Sequence, residues 1–146
     1  MKIVLAADHG GFELKDKIRK YLIEKKIEVN DLGVCSNESV DYPVYGLQAA
    51  EKVASGAAEF GIIVCGTGIG ISIAANKVKG IRAALCHSVD YAKLSREHNN
   101  ANILALGGRF LKEEDALKIV DTFLNTKFEG GRHQKRLDII SEYEKC

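Results

Sequence analysis

Cys65-Gly66-Thr67-Gly68-Ile69-Gly70 couples a thiol to a glycine loop, and no other segment of the sequence is as well equipped for chemistry. Glycines in such a turn admit positive φ and let backbone N–H groups come close to a ligand. Where the loop opens a helix, the first-turn N–H groups and the helix dipole favour an anion. The spacing is neither GxGxxG nor a P-loop, because no Lys-Ser/Thr follows Gly70. A turn that binds nothing is the competing reading. Cys65 sits just before the loop, where a helix N-terminus favours the thiolate, the form that acts as base or nucleophile. The competing reading is a small apolar residue finishing a buried strand. Thr67 supplies the loop's one hydroxyl and is grouped with the catalytic candidates. Cys35, Cys86 and Cys146 lack a glycine loop and are assigned no chemistry.

Three further groups could serve such a centre. Asp8 and His9 can hold hydroxyls, or a phosphate if the imidazole is protonated; Asp8 capping a helix beside a solvated histidine is the other option. His98, followed by Asn99 and Asn100, is either a proton donor or simply the cationic end of a helix. Arg132 and Arg136 stand at i, i+4 in RHQKR and would share one helix face, a fit for phosphate oxygens or a solvated charged face. Arg109 is expected as a third cation at the same edge. No metal is expected: Cys86 and His87 are adjacent rather than at chelate spacing, and no HxH or CxxC occurs.

These residues need elements to place them. Short apolar runs alternate with stretches of helical period along the whole chain. KIVLAA (2–7), IEVNDL (27–32), GIIVC (61–65), GIRAALC (80–86) and NILALG (102–107) read as strands. Helices are expected from the spacing of Leu14, Ile18, Tyr21 and Leu22, in an alanine-rich stretch reaching Ser55, and over 71–78, 88–98 and 111–126, with Ser88 as a cap. A last helix closes the chain. The expected fold class is therefore α/β: a Rossmann-like three-layer sandwich, a five-stranded parallel sheet flanked by helices, with an extra C-terminal helix. One domain over 1–146 is expected. In such sheets ligands bind beyond the carboxyl ends of the strands, where Asp8, Cys65, His87 and Arg109 would gather.

Bulk composition narrows the function classes. The 21 basic and 20 acidic residues nearly cancel, so charge points to neither nucleic acid nor membrane. No apolar stretch approaches the roughly 18 residues of a membrane span. The six-residue apolar run near Met1 is too short for a signal peptide, so a cytoplasmic location with reduced thiols is expected.

Together a thiolate base, a backbone N–H array, a histidine acid and an arginine clamp suit proton abstraction α to a carbonyl in a phosphorylated sugar, through an enediolate. A Cys–His hydrolase would use the same loop as an oxyanion hole, and the arginines tip the balance toward phosphate. AADHGGFELK (6–15), DYP (41–43), CGTGIGISIAANKVKGIRAAL (65–85), REHNNANILALGGR (96–109) and RHxxR (132–136), in this order, resemble the ribose-5-phosphate isomerase B family, which includes the galactose-6-phosphate isomerase subunits.

That resemblance implies interconversion of ribose 5-phosphate and ribulose 5-phosphate in the pentose phosphate pathway, with no metal or organic cofactor. Cys65 would be the proton acceptor and His98 the acid for ring opening. Asp8, His9, Gly66, Thr67, Gly68, Ile69, Gly70, Asn99, Arg109, Arg132 and Arg136 would bind substrate. It also implies a homodimer, or dimer of dimers, with the site shared between subunits. One branch of the family replaces the cysteine by a glutamate just after the loop; Ile71 stands there, which implies the cysteine branch. An allose- or galactose-6-phosphate isomerase, a non-catalytic sugar-phosphate binder and a purely structural subunit are the alternatives.

Overall fold

The structure, a computed structural model, describes residues 1–146. Five strands alternate with helices: β1 (Lys2–Ala7), α1 (Phe12–Glu24), β2 (Glu28–Asp31), α2 (Tyr42–Ala54), β3 (Phe60–Cys65), α3 (Ile69–Ala75), β4 (Ala83–Leu85), α4 (Val89–Glu97), β5 (Ile103–Gly107), α5 (Glu113–Asn125) and α6 (Arg132–Glu144). All pairings are parallel, in the order β2-β1-β3-β5-β4. This is the expected α/β architecture. The order carries one feature the chain sequence hides: β5 inserts between β3 and β4, leaving β4 at the edge.

Strand alternation divides the core in two. Ile3, Leu5, Ile62, Val64, Leu104 and Leu106 face α1, α4 and α5, whose Ile18, Ala92 and Phe123 are fully buried there. Val4, Ala6, Ile63, Cys65, Ile103 and Ala105 face α2 and α3, through Ala49, Ala50 and Ile71. A sheet covered on both faces explains why GIIVC reads as an unbroken apolar run. Helix α6 belongs to neither layer. It buries only His133 and Leu137, and its far end is tied down where Glu144 accepts the Gly80 N–H.

Two expected elements differ. The fourth strand is Ala83–Leu85, not 80–86. Side-chain amides take its early ladder positions: Asn102 Oδ1 accepts the Arg82 N–H at 2.8 Å, and Asn76 Oδ1 accepts that of Ala83 at 2.8 Å. Helix α3 starts at Ile69 and ends at Ala75, not at 71 and 78. Its last turn tightens, with Lys77 and Val78 N–H groups bonding the carbonyls of Ala74 and Ala75 three residues back. No helix is long and apolar enough to cross a membrane.

Candidate active site

The topology selects the end of β3 as the crevice. The loops leaving β1 and β5 run to helices α1 and α5 on one face, whereas the loop leaving β3 runs to α3 on the other. Chains that part in opposite directions leave a gap at the carboxyl ends of their strands. Cys65 ends β3 inside that gap, flanked by Asp8-Gly11 and by Gly107-Arg109. Backbone bonds join the walls: Gly108 N–H to the Cys65 carbonyl at 2.8 Å, and Arg109 N–H to that of Gly66 at 3.1 Å.

Within the loop, the Cys65 thiol is 4% exposed and its Sγ accepts the Gly68 N–H at 3.1 Å. Gly68 has φ 78, and a Cβ there would sit 2.5 Å from Leu85 Cδ1 and 2.8 Å from the Leu106 carbonyl carbon. Only glycine can aim that N–H at the sulfur. A Cβ on Gly66 would meet the Arg109 guanidinium at 2.8 Å, so that side chain lies directly over the loop. Thr67 Oγ1 accepts the Ile69 N–H at 3.1 Å, which leaves the hydroxyl proton free to donate. The N–H groups of Gly68 and Ile69 are therefore spent inside the loop. Those of Gly70 and Ile71, in the first turn of α3, meet no acceptor in the chain.

Asp8 caps no helix. Gly11 is the residue at the start of α1, and Asp8 Oδ1 instead accepts the Gly11 N–H at 3.1 Å, leaving Oδ2 for a ligand. His9 Nδ1 accepts the Val40 N–H at 3.2 Å, so the neutral ring carries its proton on Nε2. The DYP segment closes this side, with the Tyr42 ring lying where a Cβ on Gly70 would be, 2.6 Å away. Ile71 is fully buried, so no acid stands in the glutamate position. A cleft of about 420 Å³ adjoins Thr67 and Ile69, lined also by His87 and Phe110. Burial pushes the Cys86 thiol up to about 11, which keeps it protonated and inert at neutral pH.

The remaining candidates lie elsewhere. Helix α4 leaves the carboxyl end of β4 and runs back, so His98, its C-cap, arrives at the amino end of the sheet. There Asn102 bonds to Gly61 and Arg82, at the starts of β3 and β4. Gly61 to Cys65 is four strand residues, about 13 Å. Asn100 takes φ 46 to turn the chain, a conformation asparagine tolerates, and its Oδ1 accepts from the buried Arg96 at 2.9 Å. Helix α6 starts beside this turn: the Glu129 N–H bonds to the Glu97 carbonyl, and the His133 ring stacks on His98. Arg132 and Arg136 are thus exposed next to His98 and Asn99, and Arg109 stands with Cys65 instead. The expectation that all three arginines share one edge is corrected, because α5 runs back from the end of β5, so that Thr126 beyond its last turn accepts from Arg96 near the end of α4 and α6 starts at the opposite edge from Arg109. None of the three enters an ion pair.

Glu129 and His133 were not singled out by the sequence reading. With His98 they form a trio whose potential ligand atoms lie within 4.8 Å of one another. RHxxR contained the signal for His133, but sequence spacing does not reveal a neighbour 35 residues away.

Comparison with known proteins shows the family and the fold. The family model described as Ribose/Galactose Isomerase matches residues 3–140. The chain belongs to the ribose/galactose isomerase family. Among its relatives in that family, ribose-5-phosphate isomerase B of Escherichia coli is 50% identical over 143 residues, covering 98% of this chain and 96% of that protein. The Clostridium thermocellum ribose-5-phosphate isomerase B structure is 56% identical, with TM-score 0.98 over 99% of this chain and 98% of the other. A Mycoplasma genitalium ribose-5-phosphate isomerase B, solved with bound ribulose-5-phosphate, is 46% identical, with TM-score 0.95 over 99% and 96%.

Proposed function

We propose that the protein interconverts ribose 5-phosphate and ribulose 5-phosphate, with Cys65 as the base, as a cytoplasmic enzyme of the pentose phosphate pathway. The observation that carries this reading is the Cys65 sulfur, held by the Gly68 N–H in the crevice at the end of β3. Relatives named for that activity, and one solved with ribulose-5-phosphate, support the choice of a pentose.

The chemistry follows from the parts. His98 gives a proton to the ring oxygen as the C1–O4 bond breaks, and the anomeric hydroxyl passes its proton to solvent water, leaving the open aldehyde. The Cys65 thiolate then takes the C2 proton. The electron pair moves into a C1–C2 double bond and the charge onto O1, where the free N–H of Gly70 and the Thr67 hydroxyl receive it. Returning the proton to C1, with transfer of the O2 proton to O1, gives the ketose. Asp8 and Asn99 hold hydroxyls, while His9, Arg109, Arg132 and Arg136 hold the phosphate, so remote binding energy aligns the reacting carbons.

One chain cannot assemble this set. Reacting groups must approach to about 3–3.5 Å, whereas His98 and Arg132 stand at the opposite end of the sheet from Cys65. We therefore assign a two-fold dimer in which the His98, Asn99, Arg132 and Arg136 half of one copy completes the Cys65 half of the other, twice. Each half borders exposed apolar side chains that a second copy would cover. Val44, Leu47, Ile69 and Ile73 project from the packed pair α2 and α3, and Ile139, Ile140 and Tyr143 from α6.

The test is Cys65→Ala. It should abolish both net interconversion and deuterium wash-in at C1 of ribulose 5-phosphate; retained turnover would remove Cys65 as the base. Comparing kcat/KM on ribose 5-, allose 6- and galactose 6-phosphates decides the sugar, and a higher value on either hexose would replace the pentose assignment.

A further inference from the structure

His98 makes no side-chain hydrogen bond and no ion pair within the chain, so nothing polar fixes the plane of its ring. What does lie against it is His133: the two rings are stacked, with centroids 4.3 Å apart and planes 17° from parallel. His133 is 6% exposed, and its Nε2 lies 3.4 Å from Glu129 Oε2. Glu129 is itself anchored, through its N–H, to the Glu97 carbonyl in the last turn of α4. We infer that His133, held by Glu129, is a positioning residue that fixes the plane of His98 for ring opening.

The inference rests on the role proposed for His98. The stack leaves both His98 nitrogens, which lie in the ring plane, free for the sugar. His133 cannot replace it as the acid, because it is buried and one nitrogen faces Glu129. Near-parallel rings also send their nitrogen lone pairs out side by side rather than toward a common point. That geometry suits alignment of one ring by another better than capture of one metal ion by both. Catalytic groups displaced by about 1 Å lose on the order of a hundredfold in rate, so a loose His98 ring is costly.

Two readouts separate ring opening from proton transfer. Ribulose 5-phosphate carries its phosphate on the oxygen a furanose would need, so it stays open-chain. Deuterium wash-in at its C1 therefore requires Cys65 and the phosphate clamp but no ring step. His133→Leu, which keeps bulk but removes the flat face, should lower kcat for ribose 5-phosphate by about 10- to 100-fold. Wash-in should stay within about twofold of wild type, and His133→Phe, which restores a planar ring, should recover most of the lost kcat. His98→Asn is run beside them and should show the same split, with no recovery. Unchanged kcat in His133→Leu while His98→Asn is impaired would overturn the inference alone. Parallel loss of both readouts in His133→Leu would also overturn it, by marking His133 as a support for α6 and its arginines. Full activity in His98→Asn would instead remove the ring-opening role itself.

Discussion

Cys65 and Cys86 share a residue type and part in their surroundings. Cys65 lies on the α2 and α3 face with a backbone N–H aimed at its sulfur, whereas Cys86 is sealed into the other core layer, where burial outweighs the help of the Ser95 hydroxyl. Burial, partly opposed by that hydroxyl, pushes the Cys86 thiol up to about 11 from 9.0. A raised folded-state value means its contribution is intact below about pH 9 and is lost as pH rises through about 11. Wild type should therefore lose about 2 kcal/mol relative to Cys86→Ala across that window, read from urea denaturation on either side of it. At the same scale, Arg132→Ala and Arg136→Ala should each raise KM for ribose 5-phosphate by about 10-fold or more, since each removes a charge-assisted phosphate contact. An unchanged KM would dismiss the clamp.

Elements decide whether such residues are held. The β3–α3 junction depends on Gly68, whose positive φ and lack of Cβ let the loop press against Leu85 and Leu106. Gly68→Ala should cost about 2–4 kcal/mol in stability and lower kcat as well, because the Cys65 sulfur loses its N–H partner. Helix α1 and strand β2 are joined at the opposite flank by Lys15, 2% exposed and bonded to both oxygens of Asp31 at 2.7 and 2.8 Å. Lys15→Ala should destabilise by about 1–3 kcal/mol, by removing the nearer of the two cations on a partly buried carboxylate that keeps Arg19 at 3.8 Å and the Gly33 N–H, with KM unchanged because no half of the site is touched. A thermal melt and a substrate titration separate these two variants. Element type was legible from period and apolar runs, and Ser88 does cap α4 through the Tyr91 N–H. The end of α3 and the length of β4 were not, because a tightened turn and side-chain amides replaced the regular bonds there.

At the scale of the whole molecule, the two half-sites make a sharp prediction. Cys65→Ala and His98→Asn chains should each be inactive in net conversion. Mixed by co-refolding, they should regain about a quarter of wild-type activity, since half the dimers are mixed and each holds one intact site of two. If the mixture stays inactive, the shared-site assembly is wrong.

The sequence alone determined which residues could do chemistry, because thiol, imidazole and guanidinium groups announce themselves and a glycine loop after a buried strand is a local signal. It also determined the α/β alternation, since hydrophobic period is a property of neighbouring residues. Only the tertiary structure decided where those residues stand. Strand order and the direction of each return helix set the edge to which a side chain comes, and no local pattern encodes either. Thus Cys65, Asp8, His9 and Arg109 meet at one end of the sheet, while His98, Asn99, Arg132 and Arg136 meet at the other, beside a buried His133 that only the fold brings to them.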